Sequence, residues 1–172
     1  MPHDVCTPAG RPPGGFAPGT RLITPEGAVA VETLRAGDLV LTRDSGPCRL
    51  ASVFRRDAPS AAGLVCIAPG VLGPDVPETA LTVVAEQRML MVSDDTLRLF
   101  GTAETLVAAG DLAASAVADW SPERTGHLVT LDLGRAELVL ADGAWAKLGA
   151  DLDAPPGSPK VLSPQDIRIA SL

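Results

Sequence analysis

The sequence has five thiol or imidazole side chains that could act as nucleophiles, bases or metal ligands, and they are Cys6, Cys48, Cys66, His3 and His127. A thiol attacks a carbonyl carbon when a neighbouring base or cation favours its thiolate form. No Cys-x-x-Cys, His-x-x-x-His or Cys-x-x-His pair occurs, so a zinc site would need scattered ligands. The sequence therefore predicts no metal and no cofactor, and it indicates free thiols in a reducing compartment.

These residues leave one enzymatic alternative open, a self-cleaving or hydrolytic domain that pairs Cys6, Cys48 or Cys66 with His127. Cys48 is predicted at a turn-to-strand step, and Cys66 lies inside an apolar strand, where a free cysteine is usually a small buried hydrophobe. His127 is the one imidazole in the body of the chain. No paired base is visible beside any of the three thiols.

Other catalytic signatures are missing from the sequence. It contains no Gly-x-Ser-x-Gly elbow, no phosphate-binding Walker loop and no Gly-x-Gly-x-x-Gly segment. It also lacks an Asp-x-Asp-x-Asp-Gly loop and a Gly-Gly-x-Gly-x-Asp repeat, the patterns that bind calcium. Asp94 and Asp95 follow an apolar run and are interpreted as a hairpin turn. Asparagine does not occur anywhere in the chain.

The charge balance argues against nucleic acid and against a membrane surface. The 172 residues carry 14 Lys or Arg and 21 Asp or Glu, which gives a net charge of −7. No window gathers four basic residues, whereas duplex binding needs a clustered basic face. No apolar run approaches the length of about 18 residues that a membrane-spanning helix requires. The sequence leaves open a protein partner and the oligomeric state.

Short apolar runs between turn signals predict an all-β body. Glycine and proline number 17 and 16, and they fall where hairpins would turn. The runs are Arg21–Ile23, Ala28–Val31, Asp38–Arg43, Arg49–Arg55, Gly63–Ala68, Leu81–Val84, Met89–Val92, Thr96–Phe100, Glu104–Val107, His127–Leu133 and Glu137–Ala141.

The chain divides into three parts on composition. Residues 1–14 are predicted to be a flexible lead-in, residues 15–148 a single domain, and residues 149–172 a peripheral, proline-rich tail. The part of the tail from Gly149 to Gln165 should be extended or loosely packed. The segment Asp111–Val117 is short and rich in alanine, and we expect at most a helical turn there.

A family resemblance begins at Gly15, where the sequence reads GFAPGTRLITPEGAVAVETLRAGDLVLTRDSG. This resembles the opening block of Hint domains, the hedgehog/intein autoprocessing fold in its bacterial form. That block typically reads C-F-x-P-G-T, then two short strands, then V-E-x-L-x-x-G-D-x-V. The resemblance continues in four further blocks, which are VCIAPGVLG, LTVVAEQRMLM, LFGTAETLVAAGDL and, more loosely, HLVTLDLGRAELVLADG. It covers about Gly15 to Gly143 and implies a Hint-like horseshoe or β-sandwich of short antiparallel strands.

The resemblance also implies a reaction, self-cleavage or splicing through an N-to-S acyl shift. In the family, a Cys or Ser at the first motif position attacks the preceding carbonyl, and a Thr or Ser and a His of the middle block assist. Splicing also needs a C-terminal asparagine. Here these positions carry Gly15, Val84 and Gln87, and asparagine is absent. Glutamine forms hydrogen bonds but does not transfer a proton near neutral pH.

We therefore predict a catalytically inactive member of the family, a pseudoenzyme that acts as a binding or scaffolding module. Its former reaction centre is expected to survive as a polar cleft in which the Gln87 amide holds the backbone near Gly15. The vestigial positions are Gly15, Val84, Gln87 and Arg88, and the other candidate cleft residues are Thr20, Glu86 and His127.

No conventional signal peptide is visible, so the default expectation is a cytoplasmic protein, and secretion by a signal-independent route is left open. The bias towards arginine, with 12 Arg against 2 Lys, hints at a GC-rich bacterial genome.

Overall fold

The computed structural model describes residues 14–57, 63–121, 126–149 and 159–170. Residues 1–13, which hold His3 and Cys6 and nearly all of the predicted lead-in, lie outside the described residues. The described strands are β1 Arg21–Thr24, β2 Gly27–Ala30, β3 Leu39–Thr42, β4 Gly46–Arg49, β5 Ser52–Asp57, β6 Leu64–Ile67, β7 Leu81–Val84, β8 Arg88–Val92, β9 Glu104–Ala108, β10 Asp119–Trp120, β11 His127–Asp132, β12 Glu137–Ala141, β13 Ala144–Leu148 and β14 Lys160–Val161. The helices are α1 Asp94–Phe100, α2 Ala109–Ala114 and α3 Pro164–Ala170, with a 3₁₀ turn at Val31–Thr33.

Nine of the described strands form one sheet. Its path runs β14-β9-β8-β13-β12-β1-β2, and β3 pairs with both β12 and β4. Neighbouring strands are antiparallel, except that β14 runs parallel to β9. Three of these pairs are tight hairpins, β1–β2, β3–β4 and β12–β13. The β12–β13 hairpin turns at Asp142 and Gly143, which both have positive φ.

Two smaller sheets, β10-β6-β7 and β11-β5, are joined by the residues just before β1. Phe16 forms bridges to Val83 on β7 and to Val129 on β11. Its N–H donates to the Val129 carbonyl at 2.9 Å, and the Val129 N–H donates back at 3.0 Å. The residues around Phe16 thus lie between the two small sheets and join them into one layer.

The main core is built from aliphatic side chains of both layers, and Phe16 is fully buried in it. Alternation along the strands places Met89 and Val107 in this core, whereas Leu90 and Leu106 join a smaller cluster with Leu138. The all-β fold class predicted from the sequence is confirmed. None of the helices in the described part of the chain has the length and apolarity that a membrane crossing requires.

Two local predictions were wrong. The run Thr96–Phe100 is not a strand but belongs to α1, and Asp94 and Asp95 form the first helical turn rather than a hairpin. The Ser93 hydroxyl caps the helix by accepting from the Asp95 N–H at 3.2 Å, and Gly101 ends it with φ 74°. A serine cap followed by acidic residues is a helix-start signal that outweighs the short apolar run.

The C-terminal tail packs more closely than its proline content indicates. Strand β14 extends the large sheet, and α3 packs against α2 and α1. Leu162 and Ile167 are only 2% and 1% exposed and belong to the main core. The expectation of a peripheral, loosely packed tail is therefore wrong for residues 160–170, because two apolar side chains gain more from burial there than the segment loses in freedom.

The burial of Phe16 between the two small sheets predicts that two phenylalanine substitutions differ strongly in their effect on stability. Phe16→Ala should lower the free energy of unfolding by about 3–5 kcal/mol, the usual cost of emptying a fully buried aromatic site. Phe54→Ala is the matched control, since Phe54 is 37% exposed on β5; its cost should be about 1 kcal/mol. Urea denaturation followed by circular dichroism measures both. Equal costs would contradict the central position of Phe16.

Candidate functional site

The segment from Gly14 to Ala17 lies between β7 and β11 and is fixed from both sides. The Gly15 carbonyl accepts from the Val84 N–H at 3.0 Å, and the Ala17 N–H donates to the Thr82 carbonyl at 3.0 Å. All four residues are buried. The Gly14–Gly15 peptide bond, at the position that the family resemblance marks as scissile, is therefore an internal part of the layer.

Gln87 holds the nitrogen side of this peptide bond. It lies between β7 and β8, is 1% exposed, and its Oε1 accepts from the Gly15 N–H at 3.1 Å. Its Nε2 donates to the carbonyls of Lys147 at 2.9 Å and of Arg88 at 3.0 Å. These partners fix the orientation of the side-chain amide, because a flipped amide would set its NH₂ group against the Gly15 N–H.

Two donors hold the oxygen side of the same bond. The Thr130 hydroxyl on β11 donates to the Gly14 carbonyl at 2.9 Å, and Arg56 Nη2 on β5 donates to it at 3.3 Å. They reach the same oxygen because Arg56 pairs with Leu128, two residues from Thr130 on the neighbouring strand. A hydroxyl and a guanidinium on one carbonyl oxygen form the kind of donor pair that stabilises an oxyanion.

The site leaves little space for a side chain at positions 14 and 15. Gly14 has φ 102°, and a Cβ there would overlap Gln87 Oε1. At Gly15 a Cβ would lie 3.0 Å from Thr130 Oγ1 and 3.7 Å from Arg56 Nη2. The hydrogen-bonded arrangement therefore requires glycine at position 14, and a side chain at position 15 would displace Thr130 by a few tenths of an ångström.

The structure brings together Gly15, Gln87 and the backbones of Val84 and Arg88, but not the side chains of the other predicted cleft residues. The Val84 side chain packs in an apolar cluster with Ala17, Leu64 and Leu128. Thr20 is 5% exposed in the turn before β1, and its N–H donates to the Ala17 carbonyl at 3.3 Å.

Glu86 and His127 are exposed, and His127 pairs with Asp57 at the outer end of β11. Among the described residues, neither side chain hydrogen-bonds to Gly15 or Gln87.

The sequence reasoning missed Thr130 and Arg56 as site residues. The sequence offered one faint signal, a lone hydroxyl residue at the centre of the otherwise apolar run Leu128–Leu131. Arg56 carried no local signal, because its role depends on the pairing of two strands 70 residues apart.

The two carbonyls that accept hydrogen bonds from Gln87 Nε2 belong to basic residues, Arg88 and Lys147. Lys147, whose carbonyl binds Gln87, is 8% exposed. Its burial, and to a smaller extent the charge of Arg88, lowers the pKa of the Lys147 ammonium. Among the described residues, the basic side chain that contacts the Gly14–Gly15 bond is that of Arg56, which donates to the Gly14 carbonyl.

The two described thiols lie elsewhere. Cys48 Sγ on β4 accepts a hydrogen bond from Arg135 Nη2 at 3.0 Å and lies 3.7 Å from Thr42 Oγ1. Cys66 lies half-buried on β6. Within the described residues, no thiol hydrogen-bonds to His127, and no three His, Cys, Asp or Glu side chains are grouped as metal ligands would be. Cys6 lies outside the described residues.

Comparisons with known proteins agree with this architecture. A family model described as Hint domain matches residues 14–147. A solved bacterial intein-like domain from Clostridium thermocellum superposes with a TM-score of 0.51 at 15% identity, over 77% of this chain and 96% of that chain. The gp41-1 intein gives a TM-score of 0.49 at 13% identity over the same shares. No curated protein matches the sequence.

The contacts of Gln87 predict a strong structural role for its amide. Gln87→Leu should lower the free energy of unfolding by at least about 2 kcal/mol, since each buried polar group left unpaired costs about 1–3 kcal/mol. The Gly15 N–H and the Lys147 carbonyl both lose this partner. Glu86→Leu, at the exposed neighbouring position, is the control and should change stability by about 0.5 kcal/mol or less. Thermal or urea unfolding of the two variants would contradict this role if their stabilities were the same.

Proposed function

The chain belongs to the Hint domain family, and from this premise we propose that it is a member without autoprocessing activity that acts as a binding or scaffolding module. The single observation that carries the proposal is the state of the Gly14–Gly15 bond. Its N–H and its carbonyl are both hydrogen-bonded in the interior, and the residue that should attack has no side chain.

Acyl transfer at this bond would need groups that the described site does not supply. A nucleophile must lie next to the Gly14 carbonyl carbon, and a proton must reach the departing Gly15 nitrogen. Gln87 accepts a hydrogen bond from that nitrogen, so its Oε1 holds the amide in its ground state rather than protonating it. Arg56 and Thr130 polarise the carbonyl, yet polarisation without a nucleophile leaves the bond intact.

A binding role is supported by apolar side chains that remain on the surface. Trp120 on β10, at the edge of its sheet, is 45% exposed, and Leu97 and Leu99 on α1 are each 49% exposed. Exposed aromatic and aliphatic side chains at sheet edges and on short helices are common in protein interfaces. The proposed partner is accordingly a protein.

A cysteine-dependent reaction is the second candidate, and one observation favours it. Arg135 donates a hydrogen bond to Cys48 Sγ, so Cys48 has a basic side chain in direct contact. In this candidate Cys48 would act without His127, since the two are not joined in the described structure.

The purified protein should remain one species of 17.6 kDa. Incubation with dithiothreitol or hydroxylamine, followed by intact-mass spectrometry, should leave this mass unchanged, because no ester or thioester forms at Gly15. A fragment that begins at Gly15 or Phe16 would contradict the proposal.

Reintroducing the missing groups should restore cleavage in steps. Gly15→Cys alone should give little thiol-induced cleavage, because the Gly15 nitrogen still lacks a proton donor. Gly15→Cys with Gln87→His should cleave about 10²–10⁴ times faster, the usual contribution of general acid–base catalysis. Gly15→Ala with Gln87→His is the matched control and should not cleave. Val84 is left unchanged, since its side chain lies in an apolar cluster.

Mass spectrometry over time measures all three variants. Equal cleavage in the single and double cysteine variants would show that Gln87 does not occupy the proton-donor position. No cleavage in either variant would show that the donor pair of Thr130 and Arg56 does not stabilise the oxyanion of the reaction.

The second candidate predicts selective reaction at one thiol. If Cys48 were a nucleophile, iodoacetamide at pH 7 would modify it much faster than Cys66, and Arg135→Ala would remove the difference. We expect ordinary rates at both thiols. Peptide mapping after timed alkylation decides between the two candidates.

A further inference from the structure

Residues 160–170, here called the C-terminal clip, pack onto the domain although they lie beyond the family match, which ends at residue 147. The clip consists of β14, the turn at Leu162 and Ser163, and α3. It supplies two fully buried side chains, Leu162 and Ile167, to the main core. The clip is therefore an addition to the domain that occupies a groove on it.

The groove combines a sheet edge with an apolar floor. In the clip, Lys160 and Val161 pair in parallel with Thr105 and Leu106 of β9, and the Leu162 N–H donates to the Leu106 carbonyl at 2.8 Å. The Lys160 ammonium lies 4.1 Å from the centre of the Phe100 ring on α1.

Helix α3 then crosses to α2 and α1. An extended stretch followed by an amphipathic helix is a common way for a peptide to bind a groove.

The start of α3 is capped by hydrogen bonds within the clip itself. The Ser163 hydroxyl donates to Asp166 Oδ2 at 2.8 Å and accepts from the Asp166 N–H at 3.3 Å, and the Ser163 N–H donates to the same carboxylate at 2.9 Å. Pro164 occupies the first helical position, which suits its fixed φ. The backbone hydrogen bond from Ser163 and then its hydroxyl lower the pKa of Asp166, so the cap is strongest with the carboxylate charged.

A buried, unpaired hydroxyl lies on β9, the strand that pairs with the clip. Thr105, which pairs with Lys160, is fully buried, and its hydroxyl has no hydrogen-bond partner among the described residues. A permanently buried hydroxyl is nearly always paired. Water that reaches the Thr105 hydroxyl when the clip leaves offsets part of the cost of opening.

We propose that the β9 edge, together with α1 and α2, is a binding site for a segment of the pattern Lys-Val-Leu-Ser-Pro-x-Asp-Ile. This chain's own clip occupies it in cis, and the clip of a second copy occupies it in trans. The second copy is the partner because its clip already has the matching register, cap and apolar side chains. Residues 149–159, eleven in number, allow a reach of up to about 40 Å. The proposal goes beyond the proposed function, because it holds whether or not the Gly14–Gly15 bond is ever cleaved.

The test uses full-length variants and a fluorescein-labelled synthetic peptide of residues 159–172. Ile167→Asp releases the clip by placing a charge in the core, and Ile169→Asp is the matched control on the same helix, since Ile169 is 53% exposed. Fluorescence anisotropy should show at least tenfold tighter peptide binding to the Ile167→Asp protein than to wild type or to Ile169→Asp. The reason is that an intact clip competes at an effective concentration of about millimolar. A peptide with Leu162→Asp should not bind.

The melting temperature and the dimer fraction test the same site. Saturating peptide should raise the melting temperature of the Ile167→Asp protein. Light scattering should show a dimer fraction that rises towards about millimolar protein for wild type and Ile169→Asp but not for Ile167→Asp. An Ile167→Asp protein that folds without binding the peptide, or that is not restored by it, overturns the site. Equal peptide binding by all three proteins also overturns the site, and a wild type that stays monomeric overturns the second copy as its partner.

Discussion

The rest of the structure depends on the hydrogen bonding of a single peptide group, the one between Gly14 and Gly15. Its N–H is bound by the Gln87 amide, and its carbonyl is bound by Thr130 and Arg56. A buried peptide group must find partners on both sides, and here every partner comes from a distant part of the chain. The two small sheets lie on either side of residues 14–17, here called the joint. Phe16 packs its side chain from this joint into the main core. These hydrogen bonds connect β5, β11 and the turn before β8 to the segment that lies between the two small sheets.

This constraint explains why the residue changes occur together. Gln87 can approach the bond closely only if residue 14 has no Cβ, and the space beside residue 15 is taken by the hydroxyl of Thr130. A cysteine at position 15 and a histidine at position 87 would each disturb a packed, hydrogen-bonded arrangement. Both polar groups of the Gly14–Gly15 bond are paired in the interior, and this is the physical basis for proposing a module without cleavage activity.

The sequence predicted the parts of the molecule that local chemistry determines. Turn residues such as Asp142 and Gly143 predicted hairpins, alternation predicted the strands, and the motif blocks predicted the fold class.

The sequence also indicated a role for Gln87 near Gly15. It did not indicate Arg56 and Thr130, because their meeting depends on the β5–β11 register, which no local pattern encodes. The run Thr96–Phe100 has the apolar residues of a strand, but the Ser93 cap starts a helix there. The buried clip was missed because two apolar side chains, Leu162 and Ile167, are a weak signal within a proline-rich tail.

Amide hydrogen exchange of Gly15, followed by NMR on the uniformly labelled protein, tests the central claim most directly. The account predicts one Gly15 amide resonance whose protection approaches that of Phe16 and Ala17, since all three lie in the same buried joint. A Gly15 amide that exchanges as fast as an exposed glycine would show that Gln87 does not hold it. A missing Gly15 amide resonance, with a free amino terminus at that residue, would show that the bond is cleaved, and either result would contradict the account.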